Sequence, residues 1–195
     1  QSILSSIPYR GQIIDIDSFK QWSEQFPEDL TPLALDIIKK IASHYYISTK
    51  TFHVAIKHLI KKSDIPAGAC VTFCKWQPLG KSSPHINHAI KNQARWRPTD
   101  EIDINQSEEK WMNPIRLGSK WVIITDDFVG SGNTLSKMFS EKDSPIVKLL
   151  NKYPEINVRV LVIAGFEDGL TKVKSGIRKM SDRIKLHVYR IYKDR

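Results

Sequence analysis

The stretch Trp121-Val-Ile-Ile-Thr-Asp-Asp-Phe-Val-Gly-Ser-Gly-Asn-Thr134 constrains the fold of this chain more than any other. Val122, Ile123, Ile124 and Thr125 form a short apolar, β-branched run of the kind that makes a buried strand. The run stops at two adjacent carboxylates, Asp126 and Asp127, and a loop of small residues follows: Gly130, Ser131, Gly132, Asn133 and Thr134. Leu135, Met138 and Phe139 then recur at helical spacing. Strand, acidic pair, small-residue loop and helix start, in that order, make a phosphate cradle. Glycine lets the backbone approach an anion, hydroxyls and free N–H groups donate to it, and the helix N-terminus adds a favourable dipole. The two acids would repel a phosphate. They suit ribose hydroxyls, or a Mg²⁺ ion held beside the phosphates.

Two familiar nucleotide motifs are excluded. No Gly-x-x-x-x-Gly-Lys-Ser/Thr occurs, and acids stand where that motif has none. Gly130-Ser-Gly132 lacks the third glycine that a dinucleotide fingerprint needs. The plain alternative is a βα turn that happens to be rich in glycine.

A chain of 195 residues fits one domain with a helical appendage, and 41% hydrophobic content can build a core. There is no run of eighteen apolar residues and no Lys/Arg-headed apolar N-terminal signal, so the reading is a soluble, cytoplasmic protein with no membrane partner. The chain begins at Gln1 rather than methionine, as a fragment or a numbering that omits upstream residues would. Cys70 and Cys74 lie four residues apart on an expected strand, about 13 Å, which is too far for a disulfide. Both read as core residues. His85 and His88 stand three apart without a third ligand nearby, so no protein-held metal is expected. The net charge of +9, from 30 Lys/Arg against 21 Asp/Glu, favours polyanionic partners: phosphorylated sugars, nucleotides or nucleic acid. A basic surface with no such partner fits the same numbers.

Residues 1–64 read as a helical segment and 65–195 as an α/β core. Thr31-Pro32 offers an N-cap with proline at the first helical position, and Leu33, Ile37, Ile41 and Tyr45 share a helix face. Phe52, Ala55, Ile56 and Leu59 mark a further helix starting near Ser48 or Thr49. Strands are expected at Cys70–Cys74, Trp121–Thr125, Val158–Ala164 and Ile184–Tyr192. Helices are expected through Ile86–Ala94, after Thr134, around Ile146–Leu150 and from Gly169 to Met180. A polar loop with Pro78, Gly80 and Pro84 separates the first strand from its helix. Residues 95–118, with Trp96, Trp111, Pro98 and Pro114, show no sustained period and read as a mobile or partner-contacting excursion. Strands alternating with helices imply a mostly parallel open sheet, with ligands outside the carboxyl ends of its strands.

The 121–134 segment resembles the phosphopentose-binding motif of type I phosphoribosyltransferases, in which strand, acidic pair and loop stand in this register. That resemblance implies a type I phosphoribosyltransferase-like α/β fold: a mostly parallel open sheet with flanking helices, preceded here by the N-terminal helical segment. It implies phosphoribosyl pyrophosphate, or a nucleotide-like ligand, as partner, and Mg²⁺ held mainly through the phosphosugar. Asp126 and Asp127 would be the catalytic pair, and Gly130, Ser131, Gly132, Asn133 and Thr134 would bind the 5′-phosphate. The pyrophosphate of such enzymes is held by a short loop after the first core strand. Gly80, Lys81 and Ser82 occupy that place, where an ordinary βα loop with a surface lysine is the alternative.

Together with Trp22-Ser-Glu-Gln-Phe-Pro27, the segment is similar to phosphoribosyltransferase-like proteins of bacterial conflict and antiphage loci, some beside retron reverse transcriptases. Two functions follow from that resemblance. One is a defence effector that, if catalytic, transfers the phosphoribosyl group. The other is a catalytically silent subunit docking with a protein partner and nucleic acid in a retron-type complex. Gly130 stands where hypoxanthine-type enzymes place an acid as base, which disfavours purine salvage. Members of the subgroup continue past a strand like 184–192, so Arg195 is expected to cut off part of the acceptor side.

Overall fold

The computed structural model describes residues 8–9, 12–13, 16–40, 47–76, 83–99, 101–103, 118–141 and 143–193, and the chain divides into two units, Gln1–Val54 and Ala55–Arg195. The first unit corrects an expectation. Residues 8–9 and 12–13 are not helical: β1 (Pro8–Tyr9) pairs antiparallel with β2 (Gln12–Ile13), Pro8 opposite Ile13. Pro8 and Gly11 both disfavour helix, one by its ring and missing N–H, the other by backbone entropy. Helices α1 (Ile16–Ser23) and α2 (Thr31–Lys40) follow. Thr31 does not cap α2 as expected. Its hydroxyl and its N–H both donate to the Pro27 carbonyl, at 3.2 and 3.1 Å, because the chain already turns there. Ala34 is buried while Leu33 and Ile37 are exposed, and Ile41 and Tyr45 lie outside the described residues. Helix α3 (Thr49–Lys62) starts where Ser48 Oγ accepts the Thr51 N–H at 3.1 Å, a true N-cap. The unit boundary falls within α3, whose buried Ala55, Ile56 and Leu59 belong to the second unit.

The second unit is an α/β layer structure. Its elements are β3 (Cys70–Lys75), α4 (Ser83–Gln93), β4 (Arg97–Pro98), β5 (Ile102–Asp103), β6 (Trp121–Val129) and α5 (Asn133–Ser140). Next come α6 (Pro145–Lys152), β7 (Asn157–Phe166), α7 (Glu167–Met180) and β8 (Ile184–Tyr192). The sheet runs in the order β4-β3-β6-β7-β8, with β5 also paired to β3, and every pairing is parallel. This is the mostly parallel open sheet with flanking helices that the sequence leads one to expect.

Period-two alternation sorts the strand residues between two helix layers. Val122, Ile124, Val158, Val160 and Val162 pack with Leu135, Phe139, Ile146, Leu150, Leu170 and Val173 of α5, α6 and α7. On the opposite face Thr125 meets α4, and Tyr189 meets His58 of α3 at 5.6 Å between ring centroids. Cys74 is buried, and burial, aided by Asp103, pushes its thiol far above the usual range. Cys70 is only half-buried, and both cysteines are free. Among the described residues no helix is long and apolar enough to cross a membrane.

Two local expectations change. Pro84, expected in the loop, is the second residue of α4, where its missing N–H costs nothing. The start of the 95–118 excursion is part of the sheet: Arg97 and Ile102 pair with Cys70 and Cys74, and buried Trp96 donates its indole N–H to the Ile65 carbonyl at 3.3 Å. Trp111 lies outside the described residues.

Candidate functional site

From β3 the chain goes out to β4 and β5 on one side, then returns to β6 on the other. The strand order reverses between β3 and β6, and the carboxyl ends at such a reversal flank the natural ligand crevice of an open α/β sheet. The loop after β6, residues 130–132, opens at that point.

Asp126 and Asp127 do not end the strand. β6 continues to Val129, because pairing with β7 persists through Asp126↔Val162, Phe128↔Ala164 and Val129↔Gly165. Alternation then separates the acids. Asp126 is 6% exposed whereas Asp127 faces solvent. Burial, followed by the hydrogen bond and negative charge of Asp127, pushes the Asp126 carboxyl up to about 7. The backbone N–H groups of Asp127 and Phe128 donate to it and oppose that rise. The pair therefore joins one carboxyl that holds its proton to near neutrality with one exposed carboxyl able to reach a ligand.

The residue before the pair is held firmly. The Thr125 hydroxyl donates to Asn87 Oδ1 at 2.7 Å and lies 3.1 Å from Ser83 Oγ. Its carbonyl accepts the Trp76 indole N–H at 2.9 Å. These bonds lock β6 to the start of α4 and to the residue that follows β3. Ser83, read from sequence as a second hydroxyl of the pyrophosphate loop, is instead the buried first residue of α4, and neither Asn87 nor Trp76 was singled out, since such side chains carry no signal of a buried partner far along the chain. Gly80, Lys81 and Ser82, the expected pyrophosphate loop, lie outside the described residues. Just upstream, Lys75 pairs with Glu101 at 2.6 Å, and Lys91 pairs with the other Glu101 oxygen at 2.6 Å. Burial raises the Glu101 pKa, but hydrogen bonds from the two lysines outweigh it and hold the carboxylate below its usual range.

The 130–134 loop turns into α5 through a left-handed glycine. Gly132 adopts φ +69°, a left-handed conformation that favours glycine, and it precedes α5 with no side-chain cap. The first-turn amides of α5 lack intrahelical acceptors. Asn133 N–H makes only a long 3.5 Å bond to Ser131 Oγ. Ser131, Asn133 and Thr134 are exposed around this amide cluster. Lys172 of α7 donates to Asn133 Oδ1 and brings a cation to the same rim.

One residue that shapes the loop was missed. A Cβ on Gly132 would collide with the carbonyl of Gly169, and a Cβ on Gly169 would collide with the carbonyl of Gly130. The first turn of α7 thus presses on the loop, backbone to backbone, and Ser136 against Gly176 extends the close seam between α5 and α7. The available signal was glycine in the first turn of an otherwise good helix, a choice that costs about 1 kcal/mol relative to alanine unless something needs the space.

Asp126, Asp127 and the 130–134 loop thus follow one another at the carboxyl end of β6, at the switch point. Among the described residues no group of three or more His, Cys, Asp or Glu side chains could hold a metal ion by itself. No curated protein matches the sequence. The family model that matches, over residues 19–195, is PRTase-CE. With a mostly parallel open sheet flanked by helices, the chain belongs to the phosphoribosyltransferase-like PRTase-CE family.

Proposed function

We propose that this protein binds phosphoribosyl pyrophosphate, or a related phosphorylated ribose, and transfers its phosphoribosyl group as an effector in bacterial antiphage defence. The observation that carries the binding reading is the juxtaposition of an exposed Asp127 beside buried Asp126 with an uncapped helix start at Gly132–Asn133. One part suits ribose hydroxyls and the other a 5′-phosphate, and they are separated by the few residues a sugar phosphate spans. The defence role rests on the resemblance of Trp22–Pro27 and the 121–134 segment to proteins of antiphage loci.

In the transfer, the bond from C1 to the pyrophosphate oxygen breaks and its electron pair leaves with pyrophosphate. The acceptor atom supplies the pair for the new bond to C1. Asp127 holds ribose hydroxyls and its negative charge stabilises the oxocarbenium-like carbon. The α5 amides and the hydroxyls of Ser131 and Thr134 grip the 5′-phosphate, while Lys81 neutralises the departing pyrophosphate. The donor set fits a magnesium ion carried mainly by the phosphosugar, since carboxylate oxygen is a hard ligand and the described residues build no cage of their own. Such an ion supplies neutralisation of phosphate charge when bound.

A second reading, a catalytically silent subunit docking in a retron-type protein–nucleic-acid complex, is favoured by the net charge of +9 and by a basic groove. Lys174, Arg178 and Lys185 line it together with Ile177, Leu186 and His187. Thermal unfolding with and without phosphoribosyl pyrophosphate and Mg²⁺ tests binding, and pyrophosphate release tests transfer. Stabilisation without release supports the silent subunit, and no stabilisation sinks the phosphoribose reading.

A further inference from the structure

The two edges of the parallel sheet are finished differently. One edge carries β4 and β5, two residues each, a length that offers another chain little to pair with. The other edge is β8, nine residues long, which pairs only with β7 among the described residues. Its sequence Ile-Lys-Leu-His-Val-Tyr-Arg-Ile-Tyr holds neither proline nor glycine, and its register with β7 runs from Ile184 to Tyr192 without a bulge. Of the devices that usually close an edge, only basic charge remains, at Lys185 and Arg190.

Backbone direction tells which groups are open. The Arg183 carbonyl accepts the Val158 N–H at 3.1 Å, so the odd-numbered residues of β8 turn their N–H and C=O towards β7. Leu186, Val188 and Arg190 turn theirs outward, where no described residue pairs with them. Beside this open edge runs a groove between β8 and α7. Ile184, Lys185 and Leu186 form its strand wall, and Lys174, Ile177 and Arg178 its helix wall. Ile177 and Ile184 are buried, while Lys174 and Arg178 stand exposed with no acid paired to them among the described residues. Lys185 meets Asp64 at 3.3 Å in a solvent-exposed pair, so the groove keeps a net positive charge.

We propose that the β8 edge takes up an extended acidic peptide segment of a protein partner as one further strand. This role is independent of the phosphoribose reading above. A peptide supplies both N–H and C=O groups, and so satisfies the donors and the acceptors of the open edge together. Alternate side chains of the added strand would lie against Ile177 and beside Lys174 and Arg178, where carboxylates gain charge-assisted hydrogen bonds. A second copy of β8 is disfavoured, because it would bring Lys185 and Arg190 against their own kind. Nucleic acid fits less well. Its phosphates suit the cations but would meet outward carbonyls that can only accept.

The test is fluorescence polarisation on the full chain with a labelled peptide of alternating valine and glutamate. Two further versions are N-methylated, each on one alternate set of residues. The unmodified peptide should bind. Methylation of one set should weaken it by about ten-fold or more and methylation of the other should not, since only one set of N–H groups faces the edge. Lys174→Glu with Arg178→Glu should also weaken binding by about ten-fold or more. Lys137→Glu with Lys148→Glu, an equal change of charge on α5 and α6, should not, with circular dichroism confirming the fold of both variants. Equal effects of the two methylated peptides overturn the proposal, because charge attraction alone would then account for binding. Equal effects of the two charge variants overturn it as well, and so does a complete failure of the peptide to bind. A thymidine oligonucleotide that displaces the peptide and binds more tightly overturns it in favour of nucleic acid.

Discussion

Gly132 and Gly169 approach so closely that a Cβ on Gly169 would stand 3.1 Å from the Gly132 nitrogen and nearer still to the Gly130 carbonyl. The loop's shape is thus moulded by the first turn of α7 as much as by its own sequence. Gly169→Ala should destabilise the protein by about 1–3 kcal/mol, as overpacking against backbone does, and should abolish inorganic phosphate binding at the loop. Gly130→Ala is the control, since its Cβ would meet nothing within 4 Å and its φ is not positive. It should change stability by less than about 0.5 kcal/mol. Urea unfolding of both variants checks the contrast.

Asp126 makes stability depend on pH in an unusual direction. Its carboxyl is raised from 3.8 to about 7 in the folded chain, so between those values the folded state binds more protons than the unfolded one. Stability contributed by this residue is then lost as pH rises through that window. Asp126→Asn removes the cost of ionising a buried group. It should be more stable than the wild type at pH 8, on the order of 2 kcal/mol, with the difference shrinking towards pH 4. Thermal melts across that range give the answer, and a difference that does not vary with pH would contradict the assignment.

Asp127 is exposed, so on the proposed phosphoribose reading its role would be chemical rather than structural. Asp127→Asn should leave the melting temperature within about 2 °C, because surface changes rarely exceed 0.5 kcal/mol. It should weaken ribose 5-phosphate binding about ten-fold or more, by losing a charge-assisted hydrogen bond. The double change of Asp126 and Asp127 to Asn should abolish activity in a chain whose circular dichroism is unchanged. Full activity in a well-folded double variant would refute the role of the pair.

The opposite end of the sheet should behave in the opposite way. Arg159 is 3% exposed near the start of β7, donates to the carbonyls of Ser63, Val158 and Arg183 at 2.8, 3.0 and 3.2 Å, and lies 4.6 Å over the Trp121 ring. Burial lowers its pKa below the usual arginine value. Arg159→Ala should cost about 2–4 kcal/mol by leaving buried carbonyls unpaired, without altering phosphate affinity in the folded fraction. Lysine should not restore it, because a single ammonium cannot reproduce the planar fork.

How much of this could be read from residues alone follows from the range of each interaction. Ile184–Tyr192 was legible to the residue from the alternation of Ile184, Leu186 and Val188, and the mostly apolar runs at 122–125 and 158–164 marked their strands because burial on both faces favours such a composition. The ends were less legible. β6 passes through its two acids because backbone pairing is indifferent to side-chain polarity, so charge marks where burial changes and not where the ladder stops. β4 and β5 are two residues each, too short for any period to show. The acidic pair and the loop lie within one local segment and carry their own pattern. Gly169, Trp76 and Asn87 act on that segment from distant positions, and only the folded chain brings them there.

The indole of Trp76 bound to the Thr125 carbonyl works as a locked caliper. One jaw is Trp76, the residue after β3, and the other is the strand that carries the acidic pair. Neither jaw can slide past the other without breaking that bond, so on the proposed phosphoribose reading a ligand held at both would be measured for length before its chemistry matters. A sugar phosphate one group too long or too short would meet the right atoms at the wrong spacing. Trp76→Phe would free the jaw while leaving every gripping group in place.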